Sequence, residues 1–289
     1  MLQIIEKRDL HQYVEDMYAI AIKAEQAAYP FWGDGLKTKD EFLEMIQKFE
    51  KEKPNCEWVR LLYLEEGKPE GYILYERMLE DNYINFDCFA VKGDYGQALC
   101  EVMDYVKEHH SGANVHLGIS EKNTKAVEYF TKNNWEILDK LKVNVFYFRE
   151  DTVFDVSEEV IPVTIENFED FRKIHGKIEG EMYWNSARLL EELKKDTGWK
   201  IFLWEEDGEP VAEICNWTGK NQDAEIFCSS EIKPCPKGRK ELLKAALQAA
   251  RESGAKYNWF FTEGGEEQQL VEEAGFTFLD DYVCFERTF

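Results

Sequence analysis

Two glycine-containing segments stand directly before amphipathic stretches and could bind an anion. The first is VKGDYGQALC (91–100), with Gly93 and Gly96, and the second is IKPCPKGRKELL (232–243), with Gly238. Glycine lets the backbone approach a phosphate closely, and the free N–H groups at the start of a helix attract negative charge. Each segment is therefore a candidate phosphate site, although Gly93 and Gly96 would equally well shape a simple turn.

The second segment also carries the densest group of cations in the chain, namely Lys233, Lys237, Arg239, Lys240 and Lys244. Cations beside a helix start suit an anionic ligand such as a phosphate group. A solvated surface explains the same residues equally well, so the sequence leaves both interpretations open. The first segment carries Asp94 instead, whose charge opposes anion binding.

The overall composition indicates a folded, strongly acidic protein. The 289 residues are 44% apolar and carry a net charge of −23 at pH 7. This charge argues against binding to nucleic acids or anionic membranes, and it is compatible with a cationic partner or with solubility alone. Because no apolar stretch approaches the roughly 20 residues that span a bilayer, and the charged amino-terminal segment does not resemble a signal peptide, we expect a cytoplasmic protein.

The seven cysteines and five histidines predict neither a disulfide framework nor a metal site. They form no CxxC pair and no metal-ligand spacing, and most cysteines lie in apolar segments such as FDCFAV (86–91) and EIFCSS (225–230). Buried free thiols and packed or helix-terminal histidines are therefore the expectation.

An internal repeat divides the chain into two similar halves. LEEGKPEGYI (64–73) recurs as EEDGEPVAEI (205–214), and TKNNWEIL (131–138) recurs as EEAGFTFL (272–279). Both matches have the same separation of 141 residues (212 − 71 for the first and 275 − 134 for the second). Two independent matches at one separation predict a duplicated domain.

The periodicity of each half predicts a strand, a helical region, three strands, a helix, a strand, a helix and terminal strands. The first half has the longer helical region, which includes the aromatic, glycine-rich segment FWGDG (31–35). The polar segment 149–159 lacks helical periodicity and is the predicted boundary. The predicted domains are therefore 1–150 and 151–289.

This element order and two sequence segments resemble the GNAT (Gcn5-related N-acetyltransferase) superfamily. Segment 119–135 is similar to the family's motif N-x-x-A-x-x-hydrophobic-Tyr-x-x-x-Gly-Phe: Asn123 and Ala126 match, whereas Phe130 stands where Tyr is usual. Segment 240–256 resembles the family's acetyl-CoA-binding helix. The resemblance implies an α+β (α/β) protein with two tandem GNAT-like domains, each a mixed, mostly antiparallel twisted sheet flanked by helices.

The resemblance also implies that acetyl-CoA binds where the fourth strand of a domain leads into the next helix. Neither half keeps the family's Arg/Gln-x-x-Gly-x-Gly/Ala loop, and Asn123 would also serve simply as a helix cap. The matching positions of the first half are Ala90, Val91, Gly93, Tyr95, Gly96, Gln97 and Asn123. Those of the second half are Ile232, Lys237, Gly238, Arg239 and Lys240. Which half binds the cofactor is left open.

Candidate catalytic residues follow from the same resemblance. A carboxylate near the fourth strand would accept the proton of the amine, and the candidates are Asp87, Glu225 and Glu231; an exposed strand face is the alternative explanation for each. The family's usual acid is a tyrosine, but its two positions hold Phe130 and Val271. Tyr147 and Tyr282, in the terminal strands, are the remaining candidates.

Two functional hypotheses result. The first is an acetyl-CoA-dependent N-acetyltransferase that acts on a small cationic amine or a basic peptide by direct transfer in a ternary complex, with an acceptor pocket near Phe31, Trp32, Gly33 and Asp34. The second is a catalytically inactive binding or scaffold protein on a GNAT-like frame. The sequence identifies neither the acceptor nor the oligomeric state.

Overall fold

A computed structural model describes residues 1–23, 38–49, 55–178, 180, 183–219 and 223–289. The predicted acceptor segment, with Phe31, Trp32, Gly33 and Asp34, lies outside these residues. Among the described residues, no helix combines the length and the apolar composition that crossing a bilayer requires.

The chain forms two compact units. Unit 1 is Met1–Leu141 together with Asp280–Phe289, and unit 2 is Lys142–Leu279. Strands and helices are numbered below in chain order.

Unit 1 is a sheet with helices on both faces. In sheet order its strands are β1 (Leu2–Ile4), β2 (Cys56–Glu65), β3 (Lys68–Met78), β4 (Tyr83–Val91), β5 (Asn114–Ser120) and β12 (Thr277–Thr288). Its α-helices are α1 (Leu10–Lys23), α2 (Lys39–Phe49), α3 (Tyr95–His109) and α4 (Thr124–Lys132). Neighbouring strands run antiparallel, except that β4 and β5 are parallel.

Unit 2 repeats this arrangement. In sheet order its strands are β7 (Val160–Pro162), β8 (Trp199–Glu206), β9 (Glu209–Thr218), β10 (Asp223–Glu231), β11 (Tyr257–Thr262) and β6 (Glu136–Tyr147). Its helices are α5 (Phe168–Ile178), α6 (Ser186–Lys195), α7 (Pro236–Glu252) and α8 (Gly265–Glu273). Only β10 and β11 are parallel. The predicted α+β class and the mixed, mostly antiparallel sheets are confirmed.

The two units are not successive halves of the chain, because their last strands are exchanged. The Lys142–Tyr147 part of β6 pairs with β11 of unit 2, and the Tyr282–Thr288 part of β12 pairs with β5 of unit 1. The units therefore differ from the predicted domains 1–150 and 151–289. Sequence periodicity identifies both terminal strands but gives no information on which sheet each one joins.

Alternating apolar residues let each sheet bury both of its faces. In β2, Leu61 and Tyr63 pack into the core that includes α3 and α4, whereas Leu62 packs into the core of α1 and α2. Unit 2 likewise has one core with α7 and α8 and another with α5 and α6. Because side chains alternate between faces along a strand, an uninterrupted apolar strand fits a sheet that is covered on both sides.

The duplicated turns confirm one detail of the repeat. Glu66 and Gly67 join β2 to β3, with φ values of 49° and 78°. Asp207 and Gly208 join β8 to β9, with φ values of 55° and 78°. Two successive positive φ values are typical of the type I′ turns that close tight hairpins. The glycines explain why these turns form at the same place in both units.

Gly198 is a position where unit 2 requires glycine, which gives a testable stability prediction. Its φ is +101°, and a Cβ there would overlap the carbonyl oxygen of Thr218. We expect Gly198→Ala to lower the free energy of unfolding by about 2 kcal/mol or more, since backbone strain and the overlap add. The measurement is the melting temperature of the intact chain.

A matched control is Gly208→Ala, where φ is +78° but the space around an added Cβ is open. This variant carries the backbone strain without the overlap, so we expect a loss of about 1–2 kcal/mol. Equal destabilisation by the two variants would contradict the role assigned to Thr218.

Candidate functional site

Each unit has a strand pair that separates near its middle. In unit 1, parallel pairing joins Tyr83–Asn85 of β4 to Asn114–His116 of β5, and in unit 2 it joins Asp223–Ile226 of β10 to Tyr257–Phe260 of β11. The later parts of β4 and β10 pair only with their antiparallel neighbours. An irregularity in register, at Asp87 in β4 and Phe227 in β10, stands where each pair separates. Such bulges redirect a strand beside a binding site.

In unit 1, carboxylates occupy the start of the helix that follows the separated strand. Asp94 caps α3, and its Oδ1 accepts a hydrogen bond from the Gln97 N–H at 3.1 Å. Glu65 Oε1 accepts from the Asp94 N–H at 2.6 Å, and a Cβ on Gly93 would overlap this carboxylate. Two of the N–H groups at this helix start, those of Asp94 and Gln97, therefore already have carboxylate partners.

The other cofactor candidates of unit 1 have structural contacts. Ala90, Val91 and Tyr95 are buried, and the Tyr95 ring lies 5.4 Å from that of Phe89. The Gln97 side chain donates to Glu101 at 3.0 Å, and a Cβ added to Gly96 would make an ordinary van der Waals contact with Asp94 Oδ1 at 3.6 Å. Asn123 caps α4, with its Oδ1 accepting from the Ala126 N–H at 3.2 Å. The capping alternative for Asn123 therefore describes its observed contact.

In unit 2, the corresponding helix start carries no capping side chain. Helix α7 begins at Pro236 after Cys235, and no side-chain hydrogen bond caps it. Proline is well suited to the first helical position because its missing N–H would have no partner there. Gly238 packs against the Trp204 indole, with no room for a Cβ. Lys237 and Gly238 thus present main-chain N–H groups at an uncapped helix start.

The five cations around this helix start all have carboxylate partners. Lys233 pairs with Glu206 at 3.0 Å, Lys237 with Glu159 at 2.5 Å, Arg239 with Glu267 at 3.4 Å, Lys240 with Glu273 at 2.7 Å and Lys244 with Glu241 at 2.8 Å. Exposed ion pairs contribute only about 0–1 kcal/mol each, so an incoming phosphate can replace the carboxylate of an exposed pair.

Arg239 differs from the lysines because it is mostly buried. Its side chain is 15% exposed, and its Nε lacks a hydrogen-bond partner in the described part of the chain. A buried donor without a partner costs about 1–3 kcal/mol, and an anion at the start of α7 would supply the acceptor. Arg239 is therefore the best-placed side chain for an anionic ligand.

Glu225 is the strongest candidate for a general base. In the sheet register it lies between Trp217 of β9 and Trp259 of β11. Burial and the neighbouring Asp223 carboxylate raise the pKa of Glu225 to about 8. A carboxyl group whose pKa lies near neutrality can both accept and release a proton under physiological conditions.

The other catalytic candidates are placed less favourably. The Glu231 carboxylate accepts hydrogen bonds from the N–H and the thiol of Cys235, at 2.9 and 3.3 Å, so it holds the chain that enters α7. Ile232, the next residue, is 41% exposed. Tyr147 is 43% exposed on β6 and lies opposite Tyr257.

The two remaining candidates belong to unit 1. Tyr282 covers Gly118 on β5, where a Cβ would overlap the phenol ring. Asp87 lies at the bulge of β4, and its Oδ2 is buried. Tyr282 and Asp87 therefore lie beside β4 and β5 in unit 1. This is the unit in which carboxylates already accept hydrogen bonds at the start of α3.

An aromatic cluster adjoins the bulge of β10. The Trp199 ring lies 4.7 Å from Trp184 and 5.2 Å from Phe227, and the Trp184 ring lies 5.0 Å from Tyr183. Phe227 and Tyr183 are each 37% exposed. Aromatic faces attract cations, and the Arg188 guanidinium already lies over the Tyr183 ring, 4.1 Å from its centroid.

A buried polar cluster that no short sequence spacing marks lies next to this bulge. His175 Nδ1 lies 2.7 Å from Glu213 Oε1, and the Cys228 thiol lies 3.3 Å from the same oxygen. Burial opposes protonation of His175, but its hydrogen bonds with Cys228 and Glu213 outweigh that effect and raise its pKa to about 10. The available signal was a charged residue, Glu213, within the otherwise apolar segment VAEIC (211–215), because a buried charge requires a partner.

Comparison with solved structures identifies the architecture. The chain is similar over its whole length to a GCN5-related N-acetyltransferase from Sphaerobacter thermophilus, with a TM-score of 0.65, 13% identity and 95% of that chain covered. It is also similar over its whole length to a tandem GNAT protein of the clavulanic acid biosynthesis pathway, with a TM-score of 0.60, 12% identity and 98% of that chain covered. The chain has a tandem GNAT fold.

A third similarity involves one region of a larger protein. A GCN5-related glucosamine N-acetyltransferase region of a fungal multi-domain GH3 beta-N-acetylglucosaminidase matches 99% of this chain, with a TM-score of 0.62, 11% identity and 38% of that protein covered. By sequence, neither a family model nor a curated protein matches the chain.

Within the tandem GNAT fold, the candidates fall into two groups. Unit 1 contains Asp87, Tyr282 and the cofactor candidates between Ala90 and Asn123. In this unit carboxylates accept hydrogen bonds at the start of α3. Unit 2 contains Glu225, the aromatic cluster and the uncapped start of α7. The features that could bind an anion and those that could accept a proton thus occur together in unit 2.

Proposed function

We propose that the protein is an acetyl-CoA-dependent N-acetyltransferase in which unit 2 binds the cofactor. The observation that carries this proposal is the contrast between two duplicated helix starts. The start of α3 is capped by the Asp94 carboxylate, whereas the start of α7 has no capping side chain and has five cations around it. A second carboxylate, Glu65 or Glu231, accepts a hydrogen bond from the residue just before each helix and is common to both units. The main-chain N–H groups of Lys237 and Gly238, together with Arg239, would hold the pyrophosphate.

The proposed acceptor is a small cationic amine or a basic peptide. The aromatic cluster and the net charge of −23 both favour a positively charged ligand. The glucosamine N-acetyltransferase region among the structural neighbours is named for an amine substrate, which agrees with this class. Charge complementarity would raise the rate of encounter more than the affinity.

The proposed reaction is direct transfer within a ternary complex. Acetyl-CoA supplies the acetyl thioester, and the amine must lose a proton before its nitrogen can attack. Glu225, as a carboxylate, would accept that proton directly or through one water molecule. The position of the family's tyrosine acid holds the buried Val271 in unit 2, so solvent would protonate the departing thiolate.

Thermal unfolding with acetyl-CoA tests which unit binds the cofactor. At about 100 times the dissociation constant, a ligand stabilises the native state by about 2.7 kcal/mol. We expect Arg239→Gln to weaken binding about tenfold or more, since it removes a charge-assisted hydrogen bond. The stabilisation at the same ligand concentration would then fall to about 1.4 kcal/mol.

Two control variants make this test specific. Lys173→Gln also removes one positive charge, from an exposed pair with Asp170 on α5, and should leave the ligand-induced shift unchanged. Gly96→Asp adds a carboxylate at the start of α3 and should also leave it unchanged. A shift that is lost in Gly96→Asp but retained in Arg239→Gln would place the cofactor in unit 1 instead.

The alternative is a binding or scaffold protein without catalysis. The observation that favours it is the complete pairing of the five cations around α7 with carboxylates. If those pairs persist, the helix start offers little net positive charge to a cofactor. The absence of any thermal shift at saturating acetyl-CoA would support this alternative and contradict the proposed enzyme.

A further inference from the structure

Four buried side chains with metal-binding atoms converge in unit 2, on the face of the sheet that packs against α5. His175 comes from α5, Glu213 and Cys215 from β9, and Cys228 from β10. Their candidate ligand atoms all lie within 4.8 Å of one another, and all four residues are buried. None of the roles proposed above for acetyl transfer uses them.

The sheet register explains why the group is compact. Cys228 is the cross-strand partner of Cys215, and Ser230 is the partner of Glu213. Residues two apart on a strand share a face, so Glu213 and Cys215 point to the same side as Cys228. His175 reaches this patch from α5 and contacts Glu213 through Nδ1 at 2.7 Å.

The orientation of His175 is that of a metal ligand. Its Nε2 lies 2.9 Å from the carbonyl oxygen of Trp184, to which it donates. Histidine ligands commonly donate their other ring N–H to a backbone carbonyl, which fixes the ring and leaves one nitrogen for the metal. With Nε2 held in this way, Nδ1 is the nitrogen that faces the two thiols and the carboxylate.

Glu213 provides a second, independent indication. Its side chain is 0% exposed, yet Oε2 lacks a hydrogen-bond partner in the described part of the chain, while Oε1 contacts His175 and Cys228. A buried carboxylate oxygen without a partner is costly, and a cation would satisfy it. Hydrogen bonds within the cluster therefore leave one strong ligand atom unused.

We propose that His175, Glu213, Cys215 and Cys228 form a structural Zn²⁺ site. Two thiolates, an imidazole and a carboxylate are a donor set that tetrahedral zinc accepts, and softer ligands disfavour Mg²⁺ and Ca²⁺. Ligand atoms of such a site lie roughly 3.3–3.8 Å apart. Nδ1 of His175 would therefore move outward from Oε1 of Glu213, and the most widely separated ligand atoms, which lie within 4.8 Å of one another, would move closer together. Four protein ligands leave no open position, so the ion would be structural and not catalytic.

Such an ion would fix the strand that bears the proposed active site. Cys228 directly follows Phe227, the bulge residue of β10, and Glu225 lies three positions before Cys228. Binding of zinc would tie β9 and β10 to α5 next to that bulge. This inference does not depend on acetyl transfer, because a scaffold protein with the same cluster would bind the same ion.

The test is the metal content of the intact chain, purified without chelator and measured by elemental analysis. We expect about one zinc per chain, and we expect Co²⁺ supplied during refolding to give the absorption of tetrahedral thiolate coordination. The double variant Cys215→Ser/Cys228→Ser should lose the metal. The control Cys284→Ser, which removes a buried thiol in unit 1, should retain it.

A second variant keeps the proposal testable if the double variant fails to fold. Glu213→Gln preserves the shape of the side chain and three of the ligands, so we expect it to keep the fold and to release zinc to a chelator at least tenfold faster than the wild type. The proposal would be overturned by wild-type protein that contains no metal and takes up neither Zn²⁺ nor Co²⁺ on refolding. A purified chain that is lighter by two hydrogens, with Cys215 joined to Cys228, would overturn it in favour of a redox pair.

Discussion

Replacing Glu225 by glutamine is expected to lower kcat for acetyl transfer by about 10²–10⁴-fold, the usual contribution of a positioned general base. Glutamine keeps the shape between Trp217 and Trp259 but cannot accept a proton. Because the pKa of Glu225 is raised to about 8, kcat/KM of the wild type should increase with pH and level off above about pH 8. Steady-state rates of acetyl transfer to a primary amine, measured from pH 6 to pH 9.5, check both expectations.

Although Glu225→Gln is expected to lower kcat, it is expected to raise the stability of the folded chain at high pH. Glu225 in the folded chain has a pKa above the ordinary value of 4.5. Its favourable contribution to the free energy of unfolding is therefore complete below pH 4.5 and is lost as the pH rises through about 8. Glutamine stays neutral and avoids this loss. The melting temperature of Glu225→Gln should therefore exceed that of the wild type at pH 9 and approach it at low pH.

An exposed carboxylate supplies the control. Glu209→Gln, at the start of β9, removes the same charge and should change neither kcat nor the pH dependence of the melting temperature. A Glu225→Gln variant that keeps the rise of kcat/KM through pH 8, or that melts below the wild type at pH 9, would contradict the role proposed for Glu225.

Sequence periodicity was sufficient to predict most of the strands and helices, because the local preferences of the residues agree with the tertiary structure. The matched hairpins contain glycines with positive φ at the same place in both units, and α3 buries Leu99, Val102, Met103 and Val106 as its spacing predicts. The exchange of β6 and β12 could not be predicted in this way, because both possible neighbours are apolar strands. Only the pairing seen in the structure shows that β6 joins β11 and that β12 joins β5.

The candidate sites were less predictable because they depend on contacts between distant residues. Gly93 has the residue type of a phosphate loop, but its neighbour is Glu65, which lies 28 positions earlier (93 − 65). The four proposed zinc ligands come from a helix and two strands, so no short spacing such as CxxC marks them. Glu231 has the residue type of a general base, but it holds the entry to α7 instead.

Phe130 stands at the position where GNAT proteins usually have a tyrosine acid, and in this chain it packs in the core. Phe130 occupies that position in unit 1 and is fully buried in the core of α3 and α4. Its ring stacks on Phe285 at 4.9 Å and meets the edge of Trp135 at 4.8 Å. The side chain therefore contributes to stability, and a hydroxyl added there would be buried away from any proposed acceptor.

Phe130→Ala is accordingly expected to lower the free energy of unfolding by about 3–5 kcal/mol, because it removes a buried ring and leaves a cavity. Phe130→Leu fills most of that space and should cost less than half as much. Calorimetry of the intact chain should show this loss, and Phe130→Tyr should produce no gain in acetyl transfer. A large gain in kcat with Phe130→Tyr would instead mean that unit 1 performs the chemistry, and it would contradict the assignment of catalysis to Glu225.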